Sequence, residues 1–183
     1  MRIDRKKGVT LIELIITIVM VSFLFLGISW YFQRTIEIWN FLSLRNDIGN
    51  QLRLGIMRMG RDIRQIRTRD VEEEPIEVAT SVLFQFIKFT PDDEIRVAYL
   101  YDSSRGIIFY EEDTNSDGDF DDYREKQILL RDVDDFHFTY LDRKGNPTEE
   151  ILDIYMVRIY LKVKKQEEEL SISYEVFPRN LKY

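Results

Sequence analysis

Residues 9–33 read VTLIELIITIVMVSFLFLGISWYFQ, and residues 14–33 within them contain no charged side chain. A run of this length is close to the ~20 residues that an α-helix needs to cross a bilayer. The preceding residues 1–8, MRIDRKKG, carry four basic side chains and one acidic one. Because basic residues stay on the cytoplasmic side, the sequence predicts a single membrane pass with the C-terminal part outside the cytoplasm.

Glu13 separates three interpretations of this segment. A cleaved secretory signal would need a small-x-small site, which Gly27-Ile28-Ser29 matches weakly. A plain signal anchor explains the hydrophobicity and the basic residues. It does not explain Glu13, because a carboxylate inside an apolar helix costs about 2.5–3.5 kcal/mol on insertion scales. A third interpretation accounts for Glu13 together with Gly8, the last residue of the basic leader.

The sequence KKGVTLIE at residues 6–13 resembles the N-terminal signal of type IV prepilins and pseudopilins. The resemblance implies that residues 1–8 are a leader, that a prepilin peptidase cleaves between Gly8 and Val9, and that Val9 is then N-methylated. It also implies that Glu13, the fifth residue of the mature chain, pairs with the N-terminal amine of its own or a neighbouring subunit. Such a pair is tolerated in an apolar medium where either charge alone is costly.

The same resemblance implies a location and a set of partners. The chain would wait in the inner (cytoplasmic) membrane with its N-terminus cytoplasmic and its body periplasmic or extracytoplasmic, and would then enter a pilus or pseudopilus. The implied partners are other pilin or pseudopilin subunits, the prepilin peptidase, an inner-membrane assembly platform and the membrane itself.

The helix is expected to continue past the membrane segment, because the first proline is Pro75. Apolar residues recur there at spacings of mostly three or four, which is typical of an amphipathic helix. This stripe comprises Phe41, Ile48, Leu52, Ile56, Met59, Ile63 and Ile66, and the other face carries Arg45, Arg53, Arg58, Arg61, Arg64 and Arg67. We predict one helix over residues 9–66, with 9–33 as the transmembrane and assembly part and 34–67 as the amphipathic continuation.

The remainder of the chain has the pattern of β structure. Residues 68–75, TRDVEEEP, are a charged break that we interpret as a linker, and residues 76–183 follow as a globular domain. Runs rich in β-branched and aromatic residues predict strands at 81–89, 94–101, 106–111, 127–130, 134–141, 154–164 and 170–177. Successive hairpins favour one antiparallel sheet with one face on the helix. The fold class is therefore α+β, similar to the pilin fold.

Two further segments carry a finer resemblance. RLGIMRMGRDIRQI at residues 53–66 and LSISYEVFPRNL at residues 170–181 look like the J-type pseudopilins of type II secretion and the W-type minor pilins of type IV pili. The resemblance implies a minor subunit at or near the filament tip that primes assembly.

Residues 113–122, DTNSDGDFDD, are a candidate calcium loop. Acidic or amide side chains alternate before a glycine, as in the first half of a D-x-[DN]-x-[DN]-G loop. The candidate ligands are Asp113, Asn115, Asp117, Asp119, Asp121 and Asp122. Position twelve is Arg124 where an EF-hand has glutamate, so an ordinary acidic hairpin turn is the alternative.

Composition excludes several functions. The chain has no cysteine and one histidine, His137, so thiolate chemistry and multi-histidine metal sites are excluded. No phosphate-binding glycine loop and no G-x-S-x-G motif is present, and we predict no enzyme. Because the leader carries +3 of a net charge of −7, the remaining residues carry −10, which argues against nucleic acid as a bulk electrostatic partner.

The sequence therefore predicts a structural subunit, a minor pilin or pseudopilin, that requires no cofactor and has calcium as its one candidate ion. Two alternatives remain open at this point. One is a major pilin or adhesin, and the other is a membrane-tethered, calcium-dependent binding domain that does not polymerise.

Overall fold

The computed structural model describes residues 10–67, 74–90, 93–120, 122 and 125–178. By their contacts, the residues form two compact units, Met1–Leu44 and Arg45–Tyr183. The expected leader at 1–8, Val9 and residues 68–73 of the expected linker lie outside the described residues.

Helix α1, Leu11–Arg64, is continuous and far longer than the ~11–12 residues of an average helix. Its N-terminal part is long and apolar enough to cross a membrane. At its C-terminal end the Gln65 N–H donates to the Asp62 carbonyl at 2.9 Å, a tightened last turn that satisfies a terminal carbonyl. The long N-terminal helix predicted from the sequence is confirmed.

Eight strands follow, and each pairs antiparallel with its neighbour in the chain. Sheet A contains β1 (Ile76–Ala79), β2 (Leu83–Phe89), β3 (Glu94–Asp102), β4 (Ile107–Glu112) and β5 (Lys126–Leu130), in that order. Sheet B contains β6 (Val133–Leu141), β7 (Met156–Lys165) and β8 (Glu168–Val176), and a single 3₁₀ turn, Ile151–Asp153, precedes β7. The α+β class and the pilin-like combination of long helix and antiparallel sheet are therefore confirmed.

Two expectations about the sheet were wrong. Strand β1 was missed, because it has only four residues and follows a charged segment. One sheet was expected and two are present, because the chain turns at Asp132, whose φ of 58° is in the left-handed region, and β6 does not pair with β5. The Val133 N–H instead donates to the Gly106 carbonyl at 3.0 Å.

Aromatic side chains join the two sheets in one core. The Phe84 ring on β2 lies 5.4 Å from Phe138 and 5.3 Å from Tyr140, both on β6. The Tyr140 hydroxyl donates to the Thr80 carbonyl at 2.7 Å, so the polar atom of this buried ring is satisfied.

The buried stripe of α1 begins later than the sequence pattern suggested. Ile48, Leu52, Ile56, Met59 and Ile63 are buried on the helix, whereas Phe41 is 43% exposed. Phe41, the first residue of the predicted amphipathic stripe, therefore does not belong to the part that is buried. The buried residues start where α1 enters the second compact unit.

Two glycines allow the edge strands of both sheets to approach α1 closely. A Cβ at Gly55 would lie 2.5 Å from a methyl carbon of Leu130 on β5. A Cβ at Gly60 would lie 2.7 Å from the ring of Tyr174 on β8. These positions place the outer edges of sheets A and B on either side of the same helical segment.

Candidate functional site

The N-terminus of α1 is built around Thr10 and Glu13. The Glu13 N–H donates to the Thr10 hydroxyl at 3.3 Å, which is the N-terminal half of a capping box. The Glu13 carboxylate lies in the first turn, where the helix dipole favours negative charge. Sequence reasoning missed this cap, although T-x-x-E before an apolar run is its ordinary signature.

The helix beyond Glu13 exposes a continuous apolar surface. Leu11 is 77% exposed, Phe23 is 70% exposed and Trp39 is 72% exposed. Soluble monomers rarely expose contiguous apolar area beyond a few hundred Å². This surface is therefore built for lipid or for apolar surfaces of other chains.

Two hydroxyl groups inside the apolar segment, those of Thr17 and Ser22, are satisfied by the helix itself. Thr17 donates to the Glu13 carbonyl at 2.7 Å, and Ser22 donates to the Ile18 carbonyl at 2.8 Å. Such bonds remove the need for water inside an apolar medium. Within residues 10–67, in contrast, no donor lies on the Glu13 carboxylate.

The expected processing residues are placed only in part. Gly8 and Val9 lie outside the described residues, so the cleavage site and the Val9 amine stay predictions. Glu13 lies two residues after the start of α1 and is exposed, so its side chain faces whatever surrounds the helix.

Residues 3–29 match the family model of the prokaryotic N-terminal methylation motif. The chain carries this methylation motif. The match covers three of the four basic residues, the expected cleavage position, Glu13 and most of the apolar helix. No curated protein matches the chain. The methylation motif supports a type IV pilin-like or pseudopilin subunit, and together with the apolar helix it fits a single-pass membrane-anchored protein. Proteins with this motif are structural, which is consistent with the absence of catalytic motifs from the sequence.

A buried polar network anchors the second part of α1 to sheet A. Asp62 is 3% exposed and accepts a 2.6 Å hydrogen bond from the Tyr99 hydroxyl. Burial, reinforced by the negative charge of Asp62 and by this hydrogen bond, raises the pKa of Tyr99 well above its ordinary value. Tyr99 therefore stays neutral and remains a donor over the whole physiological range.

A second part of the network is centred on Lys88 of β2. Its ammonium group donates to the Tyr110 hydroxyl at 2.9 Å and lies 3.4 Å from Glu112. Burial lowers the pKa of Lys88, but the bond to Tyr110 and the charges of Asp62 and Glu112 outweigh burial and raise it. The Arg58 guanidinium covers the Tyr110 ring at 3.8 Å. The network joins charges of both signs, so each buried charge has a partner.

The two segments with the J-type and W-type resemblance pack on each other. Gly60 of α1 faces Tyr174 and Val176 of β8, and the Arg64 guanidinium donates to the Tyr174 hydroxyl. The described parts of these two segments are therefore in contact, although about a hundred residues separate them in the chain, and the subgroup stays a prediction.

The acidic loop is closed by its own hydrogen bonds. Asp113 is 4% exposed and accepts bonds from the N–H groups of Ser116 at 2.6 Å and Gly118 at 3.0 Å. Arg96 lies 3.4 Å from the same carboxylate. Asp113 is therefore an internal cap of the loop.

The more exposed acids of the loop converge on an amide. The Asn115 side-chain nitrogen donates to Asp117 at 2.8 Å and to Asp122 at 2.7 Å. Asp119 is exposed and donates its N–H to Asp117 at 3.1 Å, while Asp121 lies outside the described residues. Within the described part of the chain, no group of three or more acidic, histidine or cysteine side chains is placed to hold a metal. The calcium site stays a prediction.

Glu125 closes the loop from inside and was missed by sequence reasoning. It is fully buried and accepts bonds from the N–H groups of Thr114 at 2.9 Å and Asp122 at 3.2 Å. Its oxygens are therefore committed to the backbone. The sequence signal was the position of this acid, one place after the twelfth loop position.

His137 lies on the outer face of sheet B. Its ring stacks on Tyr160 at 4.8 Å, and Nδ1 lies 3.8 Å from Asp135. The side chain is 45% exposed, as expected for a histidine on a half-solvated strand.

Proposed function

We propose that the chain is a structural subunit, a minor pilin or pseudopilin, of a type IV pilus or a type II secretion pseudopilus. The observation that carries this proposal is the methylation motif at residues 3–29 on a helix whose apolar side chains are exposed. The mature chain begins at N-methylated Val9, with residues 1–8 left in the cytoplasm and the body outside the inner membrane. A prepilin peptidase, an inner-membrane assembly platform and other subunits are its partners.

Glu13 directs docking in this proposal. Its carboxylate has no donor within residues 10–67, while the hydroxyls of Thr17 and Ser22 donate to helix carbonyls. The freed amine of Val9, on the same or a neighbouring subunit, supplies the missing opposite charge. Because the surroundings are apolar, a misplaced pair leaves two costly charges, and a correctly placed pair therefore sets the register of the incoming helix.

The resemblance of residues 53–66 and 170–181 to J-type and W-type subunits favours a minor role at the tip over a major one. The described parts of these two segments are in contact, with Gly60 against Tyr174. A few copies in purified filaments are expected. Hundreds of copies would favour the major pilin or adhesin instead.

Two measurements test the filament role. N-terminal sequencing of the exported protein is expected to find N-methylated Val9. The variant Glu13→Gln is expected to insert into the membrane at wild-type levels and to disappear from sheared filaments. Thr17→Val is the matched control, because it alters a polar side chain one turn later whose bond is internal to the helix. Assembly of Glu13→Gln at wild-type levels, or functional filaments that retain Met1, would overturn the proposal.

We also propose that the loop at residues 113–122 is the place where calcium would bind this chain. Oxygens of Asp117 and Asp122 already meet at Asn115, and turning the Asn115 carboxamide would present its oxygen between them. Calcium favours such oxygen ligands. Addition of calcium to the full chain in detergent is expected to raise the melting temperature, and Asp117→Asn is expected to remove the increase. No increase with the wild-type chain would show that the loop is an ordinary turn and would also remove the tethered calcium-dependent binder as an alternative.

A further inference from the structure

The apolar surface of α1 continues past the first charged residues that follow the membrane segment. Arg34 and Glu37 are the only charged residues from Leu14 to Leu44, and they pair with each other at 2.8 Å. Their opposite charges therefore cancel locally. Apolar side chains lie on both sides of this pair in the chain, and the compact unit of the body begins only at Arg45.

Phe32, Ile36 and Trp39 form an apolar stripe on this part of the helix, which we call the outer stripe. Their spacings of four and three place them on one face, and each is more than half exposed. Because successive residues are about 100° apart around a helix, Arg34 lies opposite Ile36 and Glu37 lies opposite Trp39. The ion pair therefore does not interrupt the outer stripe.

The spacing of charges along α1 matches the thickness of a bilayer. Glu13 and Arg34 are 21 residues apart, which is about 32 Å at the rise of a helix. The hydrocarbon core of a bilayer is ~30 Å thick, so the two residues fit its two boundaries at once. Trp39 is five residues, or about 7–8 Å, beyond Arg34. One headgroup layer is roughly 5–8 Å thick, and Trp39 falls within that distance of the boundary.

The aromatic residues around the ion pair are of the types that favour this layer. Tryptophan and tyrosine are enriched where a bilayer meets water, because their rings are apolar and their N–H or O–H groups need polar partners. Trp30, Tyr31 and Trp39 lie within ten residues of one another, and they include both tryptophans of the chain. An arginine at the end of a membrane segment extends its guanidinium group toward the same layer.

We propose that the outer stripe binds the outer headgroup layer of the membrane. Trp39 lies among the phospholipid headgroups, whose oxygens accept its indole N–H, and the Arg34–Glu37 pair lies at the outer boundary of the hydrocarbon core. The surface of α1 that contacts lipid then ends near Trp39 and not at Gln33, the last residue of the uncharged run. The inference rests on the membrane anchoring proposed above.

Other surroundings account for fewer of these features. Water would leave three adjacent large apolar side chains hydrated, which is unfavourable. An apolar face of another subunit would cover the outer stripe, but it would not explain why Glu13 and Arg34 are one hydrocarbon thickness apart. A phospholipid layer accounts for the exposed stripe, the spacing of the charges and the position of the tryptophans.

Depth-dependent quenching of tryptophan fluorescence in the full chain tests the inference. The chain is reconstituted into vesicles of phosphatidylethanolamine and phosphatidylglycerol. Part of the lipid carries a nitroxide on the headgroup, or bromine at the top or in the middle of the acyl chain. Trp30→Phe leaves Trp39 as the one tryptophan, and Trp39→Phe leaves Trp30. Both side chains are exposed, so neither substitution removes a buried contact.

The two tryptophans are expected to report different depths. Trp39 is expected to lose most intensity to the headgroup nitroxide, and Trp30 to bromine at the top of the acyl chain. The matched control is Leu152→Trp in a chain that also carries Trp30→Phe and Trp39→Phe, because Leu152 is 70% exposed and Trp39 is 72% exposed. Iodide in the water phase is expected to quench the control position several times more strongly than Trp39.

Three results would overturn the inference. Equal quenching of Trp39 and the control position by iodide would place the outer stripe in water. Strongest quenching of Trp39 by bromine in the middle of the acyl chain would place it in the hydrocarbon core. Protection of Trp39 from iodide and from every lipid probe would show that protein, such as a second copy, covers the outer stripe.

Trp30 separates this inference from the proposed membrane anchoring. If no lipid probe quenches Trp30, the helix does not enter the bilayer, and the anchoring and the inference fail together. If lipid probes quench Trp30 but not Trp39, the helix is inserted and the inference about the outer stripe alone fails.

Discussion

The two parts of α1 differ in hydrophobic content and have opposite environments. In the part within Met1–Leu44 the large apolar side chains are exposed, whereas from Ile48 onward one stripe is buried against two sheets. The arrangement of the apolar residues explains the difference: they surround the helix in the first part and follow one face in the second. The apolar side chains of the first part must therefore contact lipid or other chains, whereas the buried stripe of the second part packs on the sheets of the same chain.

The largest expected effect comes from shortening one apolar side chain in each part. Ile63→Ala is expected to lower the free energy of unfolding by about 2–5 kcal/mol, because Ile63 is fully buried and its loss leaves a cavity. Ile18→Ala, at a position 58% exposed, is expected to change it by less than about 0.5 kcal/mol. Urea denaturation of the full chain in detergent measures both. Equal losses would mean that the body stabilises the first part as well.

Two buried tyrosines of the sheets make the stability of the body sensitive to high pH. The pKa values of Tyr99 and Tyr140 are raised by burial, so each contributes stability that is fully present below their unfolded pKa of about 10. As the pH rises above that value, only the unfolded chain loses these protons. The folding equilibrium constant is then expected to fall roughly tenfold per pH unit for each tyrosine.

Denaturation between pH 8 and pH 11 checks this alkaline loss. Tyr140→Phe is expected to reduce the slope by the contribution of one group. Tyr99→Phe is expected to reduce it equally and also to destabilise the body at neutral pH by about 1–3 kcal/mol, because Asp62 then loses its donor. A slope that neither substitution changes would show that other groups control alkaline unfolding.

Replacing glycines of α1 with alanine is expected to lower stability at one position and to raise it at two others. Gly60→Ala brings a methyl group to 2.7 Å from the Tyr174 ring and is expected to destabilise the body by about 1–3 kcal/mol. Gly49→Ala and Gly27→Ala meet no atom within 4 Å and are expected to favour the helix by about 0.5–1 kcal/mol. Thermal unfolding and circular dichroism report the two signs. A stabilising Gly60→Ala would mean that β8 can move away from the helix without cost.

The smallest expected effect concerns the ion pair between Arg34 and Glu37, which is 2.8 Å long and about two-thirds exposed on both sides. Arg34→Gln is expected to change the free energy of unfolding by less than about 0.5 kcal/mol, since exposed pairs contribute little. Lys88→Met, in the buried network of the body, is the comparison and is expected to cost more. Similar values for the two variants would contradict the contrast between the exposed first part of α1 and the buried network of the body.

Local sequence rules accounted for α1 and for seven of the strands. The helix needs only a chain free of proline before Pro75, and the strands need alternating β-branched and aromatic residues. The division into two sheets depends on a left-handed φ at Asp132, a conformation that is uncommon for residues other than glycine, although aspartate adopts it more often than most. No local pattern around residue 132 predicted that turn.

The residues of the candidate site also differ in whether the sequence alone could identify them. Gly8, Val9 and Glu13 were found from sequence because their offsets are fixed within a few residues of one another. Asp62 was missed as a network residue because its donor, Tyr99, is 37 residues away. Glu125 was missed because its bonds to the backbone exist only once the loop has closed.

The hydrogen bonds of the Thr17 and Ser22 hydroxyls affect how easily the helix could move from a bilayer into a bundle of helices. Because these hydroxyls bond to carbonyls of their own helix, Thr17 and Ser22 can keep the same hydrogen bonds in a bilayer and in a bundle of helices. For these two side chains, movement from the bilayer into the bundle therefore changes only dispersion contacts, which are similar in the two media. In the proposed filament the Glu13 carboxylate, which has no donor within residues 10–67, would favour transfer into the bundle, because there it can reach a cation.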